Sequence, residues 1–160
     1  MATTTMGVST IGVKFGWATE TTAGSKPAAF TQIERCNAIA GVDISVENID
    51  ASALEDESTK RIPGRTNPAD SVSITFNLTN DTMTQIEAMI AAYEALTDGK
   101  RMWIDVYNPH LAKSVFIVVA PPTAIPMPAM DQNNLLTVQI PFTIEDYKGW
   151  DTAIEPTAAA

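Results

Sequence analysis

In Ser71-Val-Ser-Ile-Thr-Phe-Asn-Leu78 every second residue is apolar, so Val72, Ile74, Phe76 and Leu78 share one face of an extended chain. Such alternation predicts a strand with one face in a core and the other in water or polar contact. Val42-Asp-Ile-Ser-Val-Glu47 alternates without a fault and predicts a second strand of the same kind. Leu136, Val138, Ile140, Phe142 and Ile144 repeat the pattern over a long strand near the C-terminal end. Arg101–Tyr107 and Lys113–Ala120 are apolar-rich runs on either side of Asn108-Pro109-His110, which reads as a hairpin turn. Ile11, Val13, Phe15 and Trp17 alternate with Gly12, Lys14 and Gly16. Glycines inside that strand predict a bulge or a close backbone approach.

The period changes once. Between Asp81 and Asp98, Met83, Ile86, Met89, Ile90, Tyr93 and Leu96 recur at helical spacing, with Thr84, Glu87, Ala91 and Ala95 on the opposite face. Thr82 and Gln85 fit a capping box, and Gly99 stands where a C′ glycine belongs. Strands, one amphipathic helix, then strands with hairpin-like links predict a mainly β domain, an antiparallel β-sandwich with one flanking helix. No internal repeat of fixed period is present, and 1–160 reads as a single domain. Thr3–Thr5 and Glu155-Pro-Thr-Ala-Ala-Ala160 have no pattern to pack, so the ends (1–6 and 151–160) are expected to be flexible.

Two connections break the rhythm. Residues 18–29 form a polar link between Trp17 and Phe30. More conspicuous is Asp56-Glu-Ser-Thr-Lys-Arg-Ile-Pro-Gly-Arg-Thr-Asn-Pro-Ala-Asp70, mostly charged, Pro or Gly, with Ile62 its sole large apolar side chain. Unstructured loops this long are uncommon in compact domains and are usually functional or disordered.

Composition narrows the function classes. A chain of 160 residues, 45% hydrophobic and 18% charged, is ordinary for a globular domain. No apolar run approaches the ~20 residues that cross a bilayer, and the N-terminal stretch lacks the basic and apolar regions of a secretory signal. Net charge is −9, with acids outnumbering bases 19 to 10, which argues against phosphate-neutralising nucleic-acid binding. Cys36 is the single cysteine, so no disulfide forms within the chain and no thiolate zinc cluster is possible from one copy. A reducing cytoplasm as the place of synthesis fits.

Candidate chemistry is sparse. His110, the single histidine, follows Pro109 in a predicted turn and has no nucleophile at a supporting spacing. Cys36 reads as a small buried apolar residue. Glu55, Asp56 and Glu57 are adjacent carboxylates without the alternating spacing and turn glycine of a calcium loop. No Gly-rich phosphate loop occurs. Met83, Met89 and Tyr93 belong to the helix core, Trp17 and Trp103 to strands, and Trp150 after Lys148-Gly149 is expected to be partly exposed. No catalytic residue, metal ligand or cofactor is assigned, and the expectation is a protein that is not an enzyme.

Several segments, in order, resemble the tail tube (major tail) proteins of long non-contractile-tailed bacteriophages, the siphophages. Ile11-Gly-Val-Lys-Phe-Gly-Trp17 resembles that family's opening strand and Phe30-Thr-Gln-Ile33 its next segment. Ile49-Asp-Ala-Ser-Ala-Leu-Glu-Asp56 and Thr59-Lys-Arg-Ile-Pro-Gly64 resemble its "ID-T-LDD" stretch and "T-IPG" loop, and Ser73-Ile-Thr-Phe-Asn77 its strand before the helix. The likeness spans roughly residues 7 to 150. It implies a β-sandwich subunit with one flanking helix and a long inter-subunit loop. It further implies homohexameric rings stacked into a helical tube, whose lumen conducts DNA from capsid to host during genome ejection. The partners implied are other copies of the chain, the tail tip, tape measure and tail terminator proteins, and DNA in non-specific transit, with no membrane binding. The chain would be made in the host bacterial cytoplasm and reside in the virion tail.

In that setting Leu54–Asp70 becomes an arm to a neighbouring subunit or the next ring, ordered on binding. Ile62 would be its apolar anchor, and Lys60, Arg61 and Arg65 would meet carboxylates of an acidic partner, with Pro63 and Gly64 completing the loop. Asp43, Glu47 and Asp105 are candidate lumen-facing acids, since carboxylates repel passing phosphates. Two other readings stand beside this one: the tube protein of a contractile tail or secretion apparatus, and a β-sandwich carbohydrate-binding module using Trp150 and Tyr147. A hydrolase, needing an acid pair in a cleft, is the remotest.

Overall fold

The computed structural model describes residues 6–158. Among them the chain is mainly β with one helix, as the patterning predicts. Eight strands form one sheet that curls on itself, and a separate pair forms a ribbon of its own. In chain order the elements are β1 (Lys14–Thr19), β2 (Thr31–Ile33), β3 (Cys36–Ile39), β4 (Ile44–Asp50), β5 (Arg61–Pro68), β6 (Ser71–Asn77), α1 (Asn80–Glu94), β7 (Met102–Tyr107), β8 (Lys113–Ala120), β9 (Thr137–Thr152) and β10 (Thr157–Ala158). The large sheet runs β10-β2-β1-β7-β8-β9-β6-β3, and β4 and β5 make the ribbon. Every pairing is antiparallel except β10 with β2.

Alternation on β6 and β9 sends Val72, Ile74 and Phe76, with Val138, Ile140 and Phe142, into the main core. Phe15 of β1 sits at its centre, with ring centroids 5.5 Å from Phe76 and 5.8 Å from Phe142. Helix α1 closes this core with Ile86, Met89 and Ile90. The helix starts at Asn80, one residue before the patterned segment, and its N-cap lies one turn before the capping box that Thr82 and Gln85 suggest. Thr79 is the N-cap, its Oγ1 accepting from the Thr82 amide at 3.1 Å, and Thr82 is buried. Gln85 is drawn away from any capping box because its Oε1 accepts from the Glu34 amide at 2.9 Å. Gly99, at φ +73°, lies in the turn after the helix, whose C-cap is Ala95.

Strands β7 and β8 read as apolar runs because both of their faces are covered. Met102, Ile104, Ile117 and Val119 point into the main core, while Trp103, Phe116 and Val118 point the other way. This second face holds a smaller core with Ala18, Phe30 and Ile154. Its roof comes from the 20–30 connection and from the C-terminal segment, which the sequence leaves unpacked. In the structure Pro156 is buried, Glu155 pairs with Lys14, and the Thr157 amide donates to the Phe30 carbonyl at 3.0 Å. A Cβ on Gly16 would lie 2.7 Å from Pro156, so the glycine is needed for this close approach. Residues 1–5 and 159–160 lie outside the described part, including Thr3–Thr5.

One polar residue anchors that roof. Glu20 is buried; its Oε1 accepts from the Arg101 amide at 2.7 Å and its Oε2 from the Trp103 indole at 3.1 Å. Burial alone would raise its pKa, but these bonds hold it below the ordinary 4.5. Its contribution is therefore full above that value and lost as pH falls through the depressed one. Glu20→Ala leaves the buried indole N–H without a partner and is expected to cost about 1–3 kcal/mol. Urea denaturation at pH 7 measures it, and an unchanged midpoint would show the bonds to be dispensable.

Candidate functional site

The long charged stretch and the strand before it form one object, an arm. At its root the Ala69 amide donates to the Asp43 carbonyl at 2.9 Å. Beyond that neck β4 and β5 pair only with each other, in a register that matches Ile44 with Pro68, Val46 with Thr66, Ile49 with Ile62 and Asp50 with Arg61. All seven residues of β4 are exposed. The expected loop is thus a hairpin for much of its length, and the alternation of Val42–Glu47 does not mark a half-buried strand within this chain. Val42 alone of that run packs on the body.

Proline and glycine hid β5 from sequence reasoning. Arg61-Ile-Pro-Gly-Arg-Thr-Asn-Pro68 reads as loop because proline cannot donate to a ladder. A two-stranded ribbon is all edge, so Pro63 and Pro68 can turn their missing N–H outward. Gly64 sits where the register shifts, and a Cβ there would come 3.1 Å from the Glu47 carbonyl and 3.2 Å from Ile49. The alternation of Val42–Glu47 marks the first half of β4, but Asn48-Ile49 breaks its phase, so the outer half of the ribbon was not visible in it.

The bulge has a consequence for the arm's surface. Near the neck Ile44 and Val46 lie on one face of the ribbon. Past the bulge Ile49 and its cross-strand neighbour Ile62 lie on the other, because successive strand residues alternate faces. These four side chains are 46–51% exposed. The tip is held by local bonds: the Ser52 amide to Asp50 Oδ1 at 2.9 Å, the Ala53 amide to Asp56 Oδ2 at 2.7 Å, and the Lys60 amide to Ser52 Oγ at 2.8 Å. Bonds from Ser52 hold the Asp50 carboxyl below its ordinary value of 3.8. Leu54 projects fully from this tip. Lys60, Arg61, Ile62 and Arg65 are exposed on the arm, while Pro63 and Gly64 shape the bulge.

At the arm's root the body is open. A cavity of about 460 Å³ is walled by Ile39, Val42, Val72, Ile104, Ile117 and Trp150, with Asp43 and Ile44 at its rim. Beside it β3 is the last strand of the sheet, with one edge unpaired.

The three acids proposed for a lumen do not share a surface. Asp43 is exposed at the neck and Glu47 is exposed opposite the bulge. Asp105 is wholly buried, on the face of β7 that carries the second core. It cannot line a channel in this fold. An acid in an apolar run looked like an outward-facing position, but the far side of that strand is roofed by segments far away in sequence.

Of the helix residues assigned to the core, Met89 is buried, but Met83 is exposed. His110 is exposed in the Asn108-Pro109-His110 turn, its amide bound to Asn108 Oδ1 at 3.0 Å. Cys36 packs against the main core, and burial pushes its thiol up to about 11, far from a thiolate at neutral pH. Trp150 is 55% exposed and Trp103 is buried. Among the described residues no group of three or more His, Cys, Asp or Glu side chains is placed to hold a metal ion, and no helix is long and apolar enough to cross a membrane.

A curled antiparallel sheet, one helix closing its core and an exposed two-stranded arm together define a tail-tube-like fold. Solved structures from phage-tail-like particles share it. A chain of the anti-feeding prophage cap, described as a tube-terminating cap, matches with a TM-score of 0.61 over 96% of both chains at 15% identity. A chain of the anti-feeding prophage baseplate matches at 0.53, covering 92% of this chain and 97% of its own, at 12% identity. A chain from the tail of an empty GTA particle, a helical assembly with C6 symmetry, matches at 0.51, covering 78% and 87%, at 14% identity. No family model and no curated protein matches the sequence.

Proposed function

We propose that this chain is a non-enzymatic structural subunit of a bacteriophage tail tube, assembling with identical copies into stacked hexameric rings around a lumen that conducts DNA. One observation carries this reading: an ordered arm exposes paired apolar side chains on opposite faces at its two ends. A single partner surface covers only one face of a ribbon. An arm of this kind is suited to lie between two neighbours, the contact near the neck using Ile44 and Val46 and the distal one using Ile49 and Ile62. Such contacts are heterologous, and heterologous contacts build rings and open stacks where self-complementary patches stop at dimers. The unpaired edge of β3 and the apolar cavity at the arm's root offer further surface for another copy.

Lys60, Arg61 and Arg65 keep the role of meeting carboxylates on an acidic neighbour. Of the lumen candidates Asp43 and Glu47 remain. The tail tip, tape measure and terminator proteins are the partners such a tube requires at its ends and centre. The likeness to anti-feeding prophage chains favours a second reading within the same class, a tube protein of a contractile tail or secretion apparatus. A sheath gene beside this one would select it.

Concentrated purified protein is expected to form rings or tubes by negative stain and fast-sedimenting species by ultracentrifugation, alone or nucleated by a tail-tip complex. Ile49→Asp with Ile62→Asp is expected to abolish them while the monomer stays folded. Monomers under every nucleating condition would refute the reading.

A further inference from the structure

The roofed face of the sheet contains a carboxyl group that a tube subunit does not call for. Asp105 pairs across β7 with Gly16 of β1 on one side and with Phe116 of β8 on the other. All three point to the same face. Gly16 has no side chain, and Pro156 and Phe30 fill the space where one would stand. The Phe116 ring is capped by Lys26, whose Nζ is 3.5 Å from the ring centroid, and by Phe30 at 5.6 Å between centroids. The Asp105 carboxyl is thus walled by a strand backbone, two aromatic rings and a proline. It has no solvent contact, and neither of its oxygens has a hydrogen-bond partner. Ser114 Oγ, buried on the same face, lies close enough to act on the carboxyl but makes no hydrogen bond of good geometry to it. Buried unsatisfied carboxyls are rare in native proteins and ask for a reason.

The roof is lightly held. Segment 153–158 is fastened by the Ala153 amide bound to the Ala112 carbonyl at 3.1 Å, Ile154 in the small core, Pro156 on Gly16, the Glu155–Lys14 pair, and two bonds from Thr157 to the Phe30 carbonyl at 3.0 and 3.3 Å. Its strand β10 is two residues long and meets β2 in parallel. We propose that Asp105 is a proton-operated release for this C-terminal strap. With the carboxyl neutral, the strap lies closed over β1, β7 and β8. Ionisation favours a state in which the strap has left, water reaches the carboxylate, and the outer edge of β2 is uncovered.

Burial raises the Asp105 pKa to about 7, with Ser114 and Lys26 opposing the shift without offsetting it. Lys26 is itself engaged by Asp151 at 3.1 Å. The other charged groups on the surrounding elements are spoken for or peripheral. Lys14 and Glu155 pair with each other, Lys148 pairs with Asp146, Glu20 binds Arg101 and Trp103, and Lys113 is exposed at the start of β8. The closed form therefore holds its proton up to about 7, while a hydrated aspartate loses it near 3.8. Between those values the closed form binds more protons, so opening is favoured as pH rises and levels off above about 7.

Hydrogen exchange of the strap amides, corrected for the intrinsic pH dependence, reads this directly. Between pH 5 and pH 8 the protection of 153–158 is expected to fall by roughly 10²-fold in the wild-type protein. Asp105→Asn removes the proton step and is expected to flatten that change while leaving the sheet protected. Gly16→Ala pushes Pro156 away by sterics alone, so its strap should exchange freely at both pH values, with Asp105 titrating near 3.8 by carboxyl carbon NMR. Equal protection at pH 5 and pH 8 in the wild type, or the same pH dependence in Asp105→Asn, would overturn the proposal.

Discussion

On the proposed function, excising the arm is expected to leave a protein that folds as before and does not polymerise. The neck bond between Asp43 and Ala69 brings the two cut ends together, so 44–68 can be replaced by an Asn-Gly turn. Since β4 is exposed throughout and β5 has no fully buried residue, the body loses little packing. The melting temperature should move by no more than a few degrees, as for surface changes in general. Tube formation, by contrast, is expected to vanish at any concentration and with any nucleator. A tube of normal length from this variant would reduce the arm to an ornament, whereas an unfolded product would show that the arm stabilises its own body.

The second large effect concerns the core. Phe15→Ala removes the ring that packs against both Phe76 and Phe142, at the strand that joins β2 to β7. Phe15 is fully buried. The expected loss is about 3–5 kcal/mol, from missing transfer energy plus the cavity left behind. For a chain of this size that corresponds to a fall in melting temperature on the order of 10 °C. Calorimetry checks it; a loss below about 1 kcal/mol would mean that the curled sheet is not held by this cluster.

Much of the body was legible in the chain. Period-two alternation placed β6 and β9, and the apolar runs placed β7 and β8, because burial within one chain writes a regular pattern. The helix was found by its 3.6-residue spacing, although its cap is Thr79, which Thr82 itself bonds, while Gln85 is drawn away to the Glu34 amide. Three features escaped. The arm's second strand carries two prolines and a glycine, which suit an all-edge ribbon but mimic a loop. The C-terminal strap is polar and short, and its docking depends on Gly16, some 140 residues earlier in the chain. Asp105 sits in a strand whose outer face is covered only by distant segments, so alternation alone assigned it to solvent. The last two misses share an origin: local pattern reports burial by neighbours in the same sheet, and is silent on long-range roofing.

On the proposed function, the arm's exposed apolar pairs tie fold to assembly. Four half-exposed aliphatic side chains on a ribbon are a standing cost in water that association removes, at roughly 25 cal/mol per Å² of apolar surface buried. On the proposed function this gain is split between two faces, because Ile44 and Val46 differ in parity from Ile49 along β4 and the bulge at Gly64 sets Ile62 opposite Ile49. That division separates a subunit that bridges neighbours from one that merely sticks to a single partner.

Cryo-microscopy of the assembled particle, at a resolution that places side chains, tests this most directly. The expected map shows β4 and β5 of each copy lying between two other copies, with Ile44 and Val46 covered by one and Ile49 and Ile62 by the other. A map in which the arm hangs in solvent, or folds back so that both apolar pairs rest on its own body, would contradict the account.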